Sequence, residues 1–369
     1  MSSGLRILAT VTDAFGGRGG IAQYNRHLLQ ALCKDSRVGS LVVLPRLVPD
    51  RPTSIPENLE YVNDAAGGWA RYAYQLVRRL VQRDSFDIVI CSHLNLLPLA
   101  ALTAARFRSK LILVIYGIEA WSPQRQRITG WLLRYVDAIC SISETTRGRM
   151  QAWYARMLPP TFLLPNAFDP GAFAPGPKPN YLIARYGLQQ RRNLLILGRM
   201  SPSERLKGFD EILEATPDLI RNLPDLAIVL AGDGADRPRL EQKAKDLGIA
   251  DRIVFTGHVP ENEKADLYRL ADVFILPSRQ EGFGFVLIEA MACGIPSIGS
   301  LADGSKEAML NGKLGLVIDP TCRSEIVSAV CHAMKQPRCV PDALGYFTLD
   351  RFEQRVSEAL TNFMVQEPT

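Results

Sequence analysis

Two glutamates eight residues apart, Glu281 and Glu289, frame a glycine-rich turn in PSRQEGFGFVLIEAMACGIPSIGS (277–300). Gly282 and Gly284 free the backbone to approach a ligand, and the apolar run after them reads as a helix. Such a helix start offers unpaired N–H groups and a positive dipole end to an anion, and a diphosphate would fit it. Each glutamate could then hold a pair of hydroxyls, one pair on a sugar and one on a ribose. The plainer alternative is a surface loop followed by a helix glutamate. Upstream, LGRMSPSERLKGFDEIL (197–213) supplies Arg199 at a strand end and Lys207 at a helix start. A leaving nucleoside diphosphate gains negative charge as its bond breaks, so preorganised cations stabilise the transition state more than the ground state. The chain has no D-x-D triplet and its four histidines lie far apart. No metal and no cofactor are therefore expected, with Arg199 and Lys207 as the electrostatic clamp.

The first half offers a second set. AFGGRGGIAQYNRHLLQAL (14–32) is a glycine-rich turn opening a helix, with Gly19 and Gly20 at its start. Amides there could meet a phosphate, whereas the spacing is not the G-x-G-x-x-G dinucleotide fingerprint. His93 closes a strand and could act as acid or base, bind a hydroxyl, or be structural. Glu119 is the only acidic residue between Asp87 and Asp137, which makes it a candidate for orienting an acceptor hydroxyl or a simple helix-start glutamate. Basic and aromatic residues interleave in 67–83, 121–135 and 147–158. An anionic bilayer surface selects that pattern, though the aromatics could equally pack inward.

These residues need a scaffold that presents strand ends, and the rest of the chain supplies one. Its 369 residues, 47% apolar and 22% charged, suit two folded domains. Residues 1–180 hold 21 Lys+Arg against 12 Asp+Glu, and residues 181–369 hold 22 against 26. The basic half suits an acidic partner, but the arginines are scattered and no nucleic-acid-binding signature accompanies them. Seven cysteines without C-x-x-C read as reduced residues of a cytoplasmic protein, with no signal organisation at the N-terminus and no run long enough to span a membrane.

Short β-branched runs alternate with amphipathic stretches, the pattern of parallel sheets covered by crossover helices. Strands are predicted at 5–12, 39–44, 87–92, 111–116, 137–142 and 161–165, then at 193–199, 226–231, 252–256, 272–277, 295–299 and 314–318. The five prolines of PNAFDPGAFAPGPKP (165–179) mark a linker. The expected division is a first domain at 1–168, a linker at 169–187, a second domain at 188–345 and a terminal helix at 346–369. Phe352, Val356, Leu360 and Phe363 give that helix one apolar face that must dock. Two doubly wound domains would leave a cleft at the carboxyl ends of their strands.

With these residues in view, the chain resembles family 4 of the retaining glycosyltransferases. The resemblance rests on EGFGFVLIE, GR…KG, LAGDG, VFTGHVP, ADVFILPS, EAMACGIPSIGS and DGSKEA…GKLGLVIDP across 193–320, with GGIAQY, SISETTRGRM and LPNAFDPGAF in the first half. It implies the GT-B fold, two Rossmann-like α/β domains with parallel sheets facing a central cleft. It implies transfer of a hexose, with retained configuration, from a nucleoside-diphosphate sugar to a lipid-linked or glycan acceptor at the cytoplasmic side of a membrane. Glu281 and the backbone of Phe283, Gly284 and Phe285 would hold the sugar, and Glu289 the ribose. Arg199 and Lys207 would hold the diphosphate, and Gly19 and Gly20 its distal phosphate or the acceptor. The nucleotide base would meet backbone around Gly257 and Val259, and the terminal helix would cross back onto the first domain. Many relatives carry histidine where this chain has Tyr116, so Glu119 or His93 would have to compensate, or no side-chain base is needed. A synthase acting on a soluble acceptor, an epimerase, and an inactive sugar-nucleotide-binding subunit are the competing readings.

Overall fold

The computed structural model describes residues 4–52, 54–81, 85–122 and 126–365, with backbone only at 126 and 127. Residues 82–83 and 123–125 of the basic-aromatic segments lie outside the described residues. The chain divides into two compact units, Met1–Ala167 with Leu349–Thr369, and Phe168–Thr348.

The first unit is built on β1 (Leu5–Val11), β2 (Val38–Pro45), β3 (Leu59–Tyr61), β4 (Ile88–Cys91), β5 (Lys110–Ile115), β6 (Ala138–Ser141) and β7 (Thr161–Leu163), with helices α1 (Gly20–Lys34), α2 (Trp69–Val81), α3 (Leu97–Phe107), α4 (Ile118–Trp121), α5 (Gln126–Leu132) and α6 (Glu144–Trp153) between them. The seven strands run parallel in the order β3-β2-β1-β4-β5-β6-β7. The central strands are mostly apolar because both faces are covered. Leu8, Val89, Leu111 and Leu113 pack with Tyr72, Leu76, Leu97 and Ala100 on one side. On the other, Ile7, Ile90, Ile112 and Val114 border the same small apolar space as Leu28, Leu32, Val356, Leu360 and Phe363. The terminal helix thus belongs to this unit, and β3, too short and polar to read from sequence, extends the sheet edge.

The second unit contains α7 (Asn180–Tyr186), β8 (Arg192–Leu197), α8 (Phe209–Asn222), β9 (Leu226–Ala231), α9 (Arg237–Asp246), β10 (Ile253–Phe255), α10 (Lys264–Leu270), β11 (Val273–Ile275), α11 (Phe285–Ala292), β12 (Ser297–Ser300), α12 (Ser305–Ala308), β13 (Leu316–Ile318) and α13 (Arg323–Ala333). Its parallel sheet runs β10-β9-β8-β11-β12-β13. The terminal helix of the first unit is α14 (Leu349–Val365).

The expected linker at 169–187 needs correction. Prolines bar a helix only as far as Pro179; α7 starts directly after it and ends at Gly187 in the left-handed region, φ 65°. The segment before α7 is tied into the second unit by an Arg269 side-chain hydrogen bond to the Ala174 carbonyl, 2.9 Å, and a Lys178–Asp272 ion pair, 2.6 Å.

In each sheet the strand order reverses once, between β1 and β4 and between β8 and β11. The loops leaving neighbouring strands diverge there and open a crevice at the carboxyl ends. That topology brings residues distant in sequence to one place in each unit.

Candidate active site

In the second unit the loops after β8 and β11 are stitched together. Leu206 carbonyl accepts from the Arg279 amide, 2.8 Å, and from the Ser278 hydroxyl, 3.2 Å. Gly208, φ 97°, lies so close that a Cβ there would be 2.6 Å from the Pro277 ring. A side chain would drive the loops apart, so the glycine after Lys207 has a packing cause. The result is an ion pair between Lys207 Nζ and Glu281 Oε2 at 2.5 Å, with side-chain exposures of 16% and 21%. Burial disfavours the ammonium, but Glu281, Glu204 and Asp303 outweigh it and raise the Lys207 pKa. Lys207 is therefore a held cation.

Arg199 sits on the same loop and is 73% exposed, paired with Glu204 Oε1 at 2.8 Å. Arg205 pins this loop to Asp236, which also receives Arg239. Gly232 and Gly234 complete the crevice floor. A Cβ on either would lie 2.0 Å from a backbone oxygen, that of Gly198 or Met200, so only glycine lets β8 and β9 end this tightly.

The turn at 281–284 is anchored from α12. Asp303 accepts the Glu281 amide at 2.8 Å and the Ser305 amide at 3.0 Å, and Gly304 donates to the Glu281 carbonyl at 2.9 Å. Burial pushes Asp303 up to about 6, with Glu281 adding to it against the pull of the Ser305 and Glu281 hydrogen bonds. Gly284, φ 100°, begins α11 with no side-chain cap, and no acidic residue occupies the first turn. Gly282 is buried beside it; Phe283 is buried on Phe347, ring centroids 5.3 Å apart, so its backbone alone is available, and Phe285 is also buried. Glu289 is fully buried, one oxygen accepting from Tyr268 at 2.7 Å, with Lys264 2.9 Å from that oxygen and 3.0 Å from the other. For Glu289 to hold a ribose, this triad has to rearrange. Gly257 and Val259 lie on the loop after β10, where the Gly257 carbonyl accepts from Gly232 at 3.1 Å.

The first unit holds the remaining candidates. Gly19, φ 83°, precedes α1 with open space where a Cβ would stand, and α1 lacks a side-chain cap and first-turn acids. Gly20 is its first residue. Tyr116 is buried, its hydroxyl donating to Asn25 Oδ1 at 2.6 Å, so it offers no replacement base. Glu119 fits the helix-start alternative rather than the acceptor role. Its Oε1 accepts the amides of Tyr116, 2.5 Å, and Gly117, 3.2 Å, so it positions the β5–α4 turn; burial raises its pKa against those bonds. Of the alternatives for His93, its hydrogen bonding favours a donor to a hydroxyl over an acid or base. Its Nδ1 accepts the Asn95 amide at 3.0 Å, and burial, then the Arg46 charge, push its pKa down to about 4. The neutral ring must carry its proton on Nε2.

The basic-aromatic segments divide. On α2, Tyr74, Val77 and Val81 are exposed beside Arg71 and Arg78. In 121–135, whose residues 123–125 lie outside the described residues, Ile128, Trp131 and Tyr135 are exposed, with Arg134 stacked on both aromatics. In 147–158 Trp153 turns inward and donates to the Ala120 carbonyl, 2.7 Å. No described helix is long and apolar enough to cross a membrane. Among the described residues no group of three His, Cys, Asp or Glu comes together as a metal site.

Residues 19–167 match the family model of the glycosyl transferase 4-like domain, and residues 184–344 that of the glycosyl transferases group 1. The chain belongs to this glycosyltransferase family, family 4 with the GT-B fold, whose members act on nucleotide sugars. It is 33% identical to a GDP-mannose-dependent alpha-(1-6)-phosphatidylinositol monomannoside mannosyltransferase of Mycolicibacterium smegmatis, over 71% of this chain and 70% of that protein. A D-inositol 3-phosphate glycosyltransferase of Stackebrandtia nassauensis is 37% identical over 42% of this chain and 36% of its own length. In fold it is similar to Anabaena HepE in complex with UDP and glucose, TM-score 0.75 at 19% identity, covering 97% and 99% of the two chains.

Sequence reasoning did not single out Lys264, Tyr268, Asp303 or Asp236. Nothing local marks them, since each matters through a partner at least 20 residues away, apart from Asp236 with the nearby Arg239.

Proposed function

We propose that this chain moves a mannosyl group from GDP-mannose, with retention, to a phosphorylated acceptor in glycolipid or polysaccharide assembly. The observation that carries the reading is the largely buried Lys207–Glu281 pair beside the uncapped start of α11. A cation and free amides converge where a diphosphate would gain charge. Lys207, Arg199 and the amides at Gly284–Phe285 would take the diphosphate, with Arg199 leaving Glu204 to do so. Glu281 would take sugar hydroxyls, Glu289 the ribose after its triad opens, and Gly257 and Val259 the base. Gly19 and Gly20 would serve the acceptor.

In this mechanism the bond from the anomeric carbon to the phosphate oxygen breaks, and its electron pair stays on that oxygen. The acceptor hydroxyl attacks the same face, and its proton passes to the departing oxygen. No side-chain base is required, which accords with the buried Tyr116 and with His93, whose Nδ1 lone pair is taken by the Asn95 amide. Lysine and arginine carry the charge stabilisation, so the reaction is proposed to need no divalent metal. GDP-mannose is favoured over a UDP-hexose because the relative at 33% identity is named for it, whereas UDP occurs with structures below 20% identity. Relatives named for inositol 3-phosphate and mannosylfructose-phosphate favour a second reading, a soluble phosphorylated acceptor. For a lipid-linked acceptor, the exposed apolar and arginine face of α2 would rest on the cytoplasmic leaflet.

A thermal-shift panel of GDP, UDP, ADP and dTDP tests the donor. The matching nucleotide at 100 times its dissociation constant should add about 2.7 kcal/mol of apparent stability. A null result with all four would overturn the reading.

A further inference from the structure

Arg46 is the first residue past β2, and its amide donates to the Val11 carbonyl at 2.9 Å, which fixes it at the carboxyl end of the first sheet. It is half-buried, and among the described residues no carboxylate lies within ion-pair distance of its guanidinium. Its guanidinium lies over the Trp69 ring, 5.3 Å from guanidinium carbon to centroid. Beside it stand two further donors. His93, at the end of β4, is neutral and carries its free proton on Nε2. The Tyr72 hydroxyl is fully buried near the Thr10 side chain, without a partner in good hydrogen-bond geometry, and its ring meets Trp69 edge-on at 6.2 Å. Arg46 and His93 follow β2 and β4, the strands on either side of β1, and the charge of Arg46 is felt by His93, Tyr72 and Asp13.

We infer that Arg46, His93 Nε2–H and the Tyr72 hydroxyl form a site for a phosphoryl group of the acceptor. A guanidinium laid on an aromatic face is preorganised for the fork geometry of phosphate oxygens. One positive charge with two neutral donors balances a phosphodiester, which carries a single negative charge. Asp13, half-buried and hydrogen-bonded by Thr12, lies within reach of the same charge and would repel a more highly charged anion while accepting from a sugar hydroxyl. A charged His93 would change that balance, and its depressed pKa keeps it neutral. The inference rests on the reading that this chain glycosylates a phosphorylated acceptor and that the first unit receives it.

The test uses the full chain and Trp69 as reporter, since an anion drawing the guanidinium off the indole changes its fluorescence. Glycerophosphoinositol is titrated against free myo-inositol, and vesicles of phosphatidylinositol in phosphatidylcholine against vesicles containing phosphatidylglycerol instead. GDP affinity is measured on every variant. The expected result is a fluorescence response to the phosphodiester, absent with inositol and absent in Trp69→Phe. Arg46→Ala should weaken affinity at least tenfold, Arg46→Lys about threefold and His93→Gln about threefold, all with GDP affinity unchanged. Response to the soluble diester identifies the group itself as sufficient, and response to phosphatidylinositol vesicles alone identifies a lipid headgroup. Equal affinity in Arg46→Ala and the parent, for the soluble diester or for the vesicles, overturns the site; an equal response to phosphatidylglycerol that Arg46→Ala abolishes identifies any anionic phosphodiester as sufficient. Loss of GDP binding by the unmodified chain would instead sink the donor reading and leave the phosphoryl site standing on its own result.

Discussion

Replacing Lys207 with methionine removes the buried cation while keeping much of its apolar stem, and it should do two separable things. Glu281 would be left four-fifths buried without its partner. Breaking a buried pair from one side costs about 3–5 kcal/mol when burial is complete, and the 16% and 21% exposures here reduce that to about 2–4 kcal/mol. Removing one preorganised charge-stabilising group also costs about 10²–10³ in kcat. A double-mutant cycle with Glu281→Gln separates the effects. Stability, read by urea denaturation, should fall in Lys207→Met and recover by at least half in the double variant, because no charge remains buried alone. The catalytic rate, read by GDP release, should stay low in Lys207→Met and in the double variant, because the charge stabilisation does not return. A Lys207→Met rate within threefold of the parent, with a normally folded protein, would refute the assignment of Lys207 to the leaving group.

Glu289→Gln should weaken GDP binding by about tenfold while Glu281→Gln lowers turnover with little change in GDP affinity; equal losses of affinity would remove the division between ribose and sugar. Asp303 gives a pH prediction. Its folded pKa of about 6 lies above the ordinary 3.8, so its contribution to stability is full below about pH 4 and lost as pH rises through 6. The difference in unfolding free energy between parent and Asp303→Asn should therefore move against the parent by about 3 kcal/mol across that window, and a difference flat with pH would count against the buried carboxyl. Tyr74→Glu with Val77→Glu should reduce co-sedimentation with phosphatidylglycerol vesicles severalfold; unchanged binding would mean that α2 is not the membrane face.

The strands were legible because parallel strands covered on both faces must be short apolar runs, and Leu226–Ala231 carries that signal at both ends. Lys207, Glu281 and Gly284 stood out in the sequence because each lies in or beside a glycine turn at a strand end, though the glycine after Lys207 has a packing cause of its own. The β3 strand escaped because three residues with one buried side chain give no period. The helix α7 escaped because the prolines before it mask a start that lies one residue beyond the last of them. Glu119 and His93 were found for their position at strand ends, but their chemistry was set by the amides of Tyr116, Gly117 and Asn95, which local sequence does not reveal. The Glu289–Lys264–Tyr268 triad depends on how α10 packs against α11, a fact of tertiary register.

The central claim, retaining transfer from a nucleotide sugar without a metal, is tested most directly by proton NMR of the reaction in EDTA with GDP-mannose and a phosphatidylinositol-linked acceptor. The account predicts GDP and an α-mannoside formed in equal amounts from the first time points. A β-mannoside, or product only after manganese is added, would contradict it.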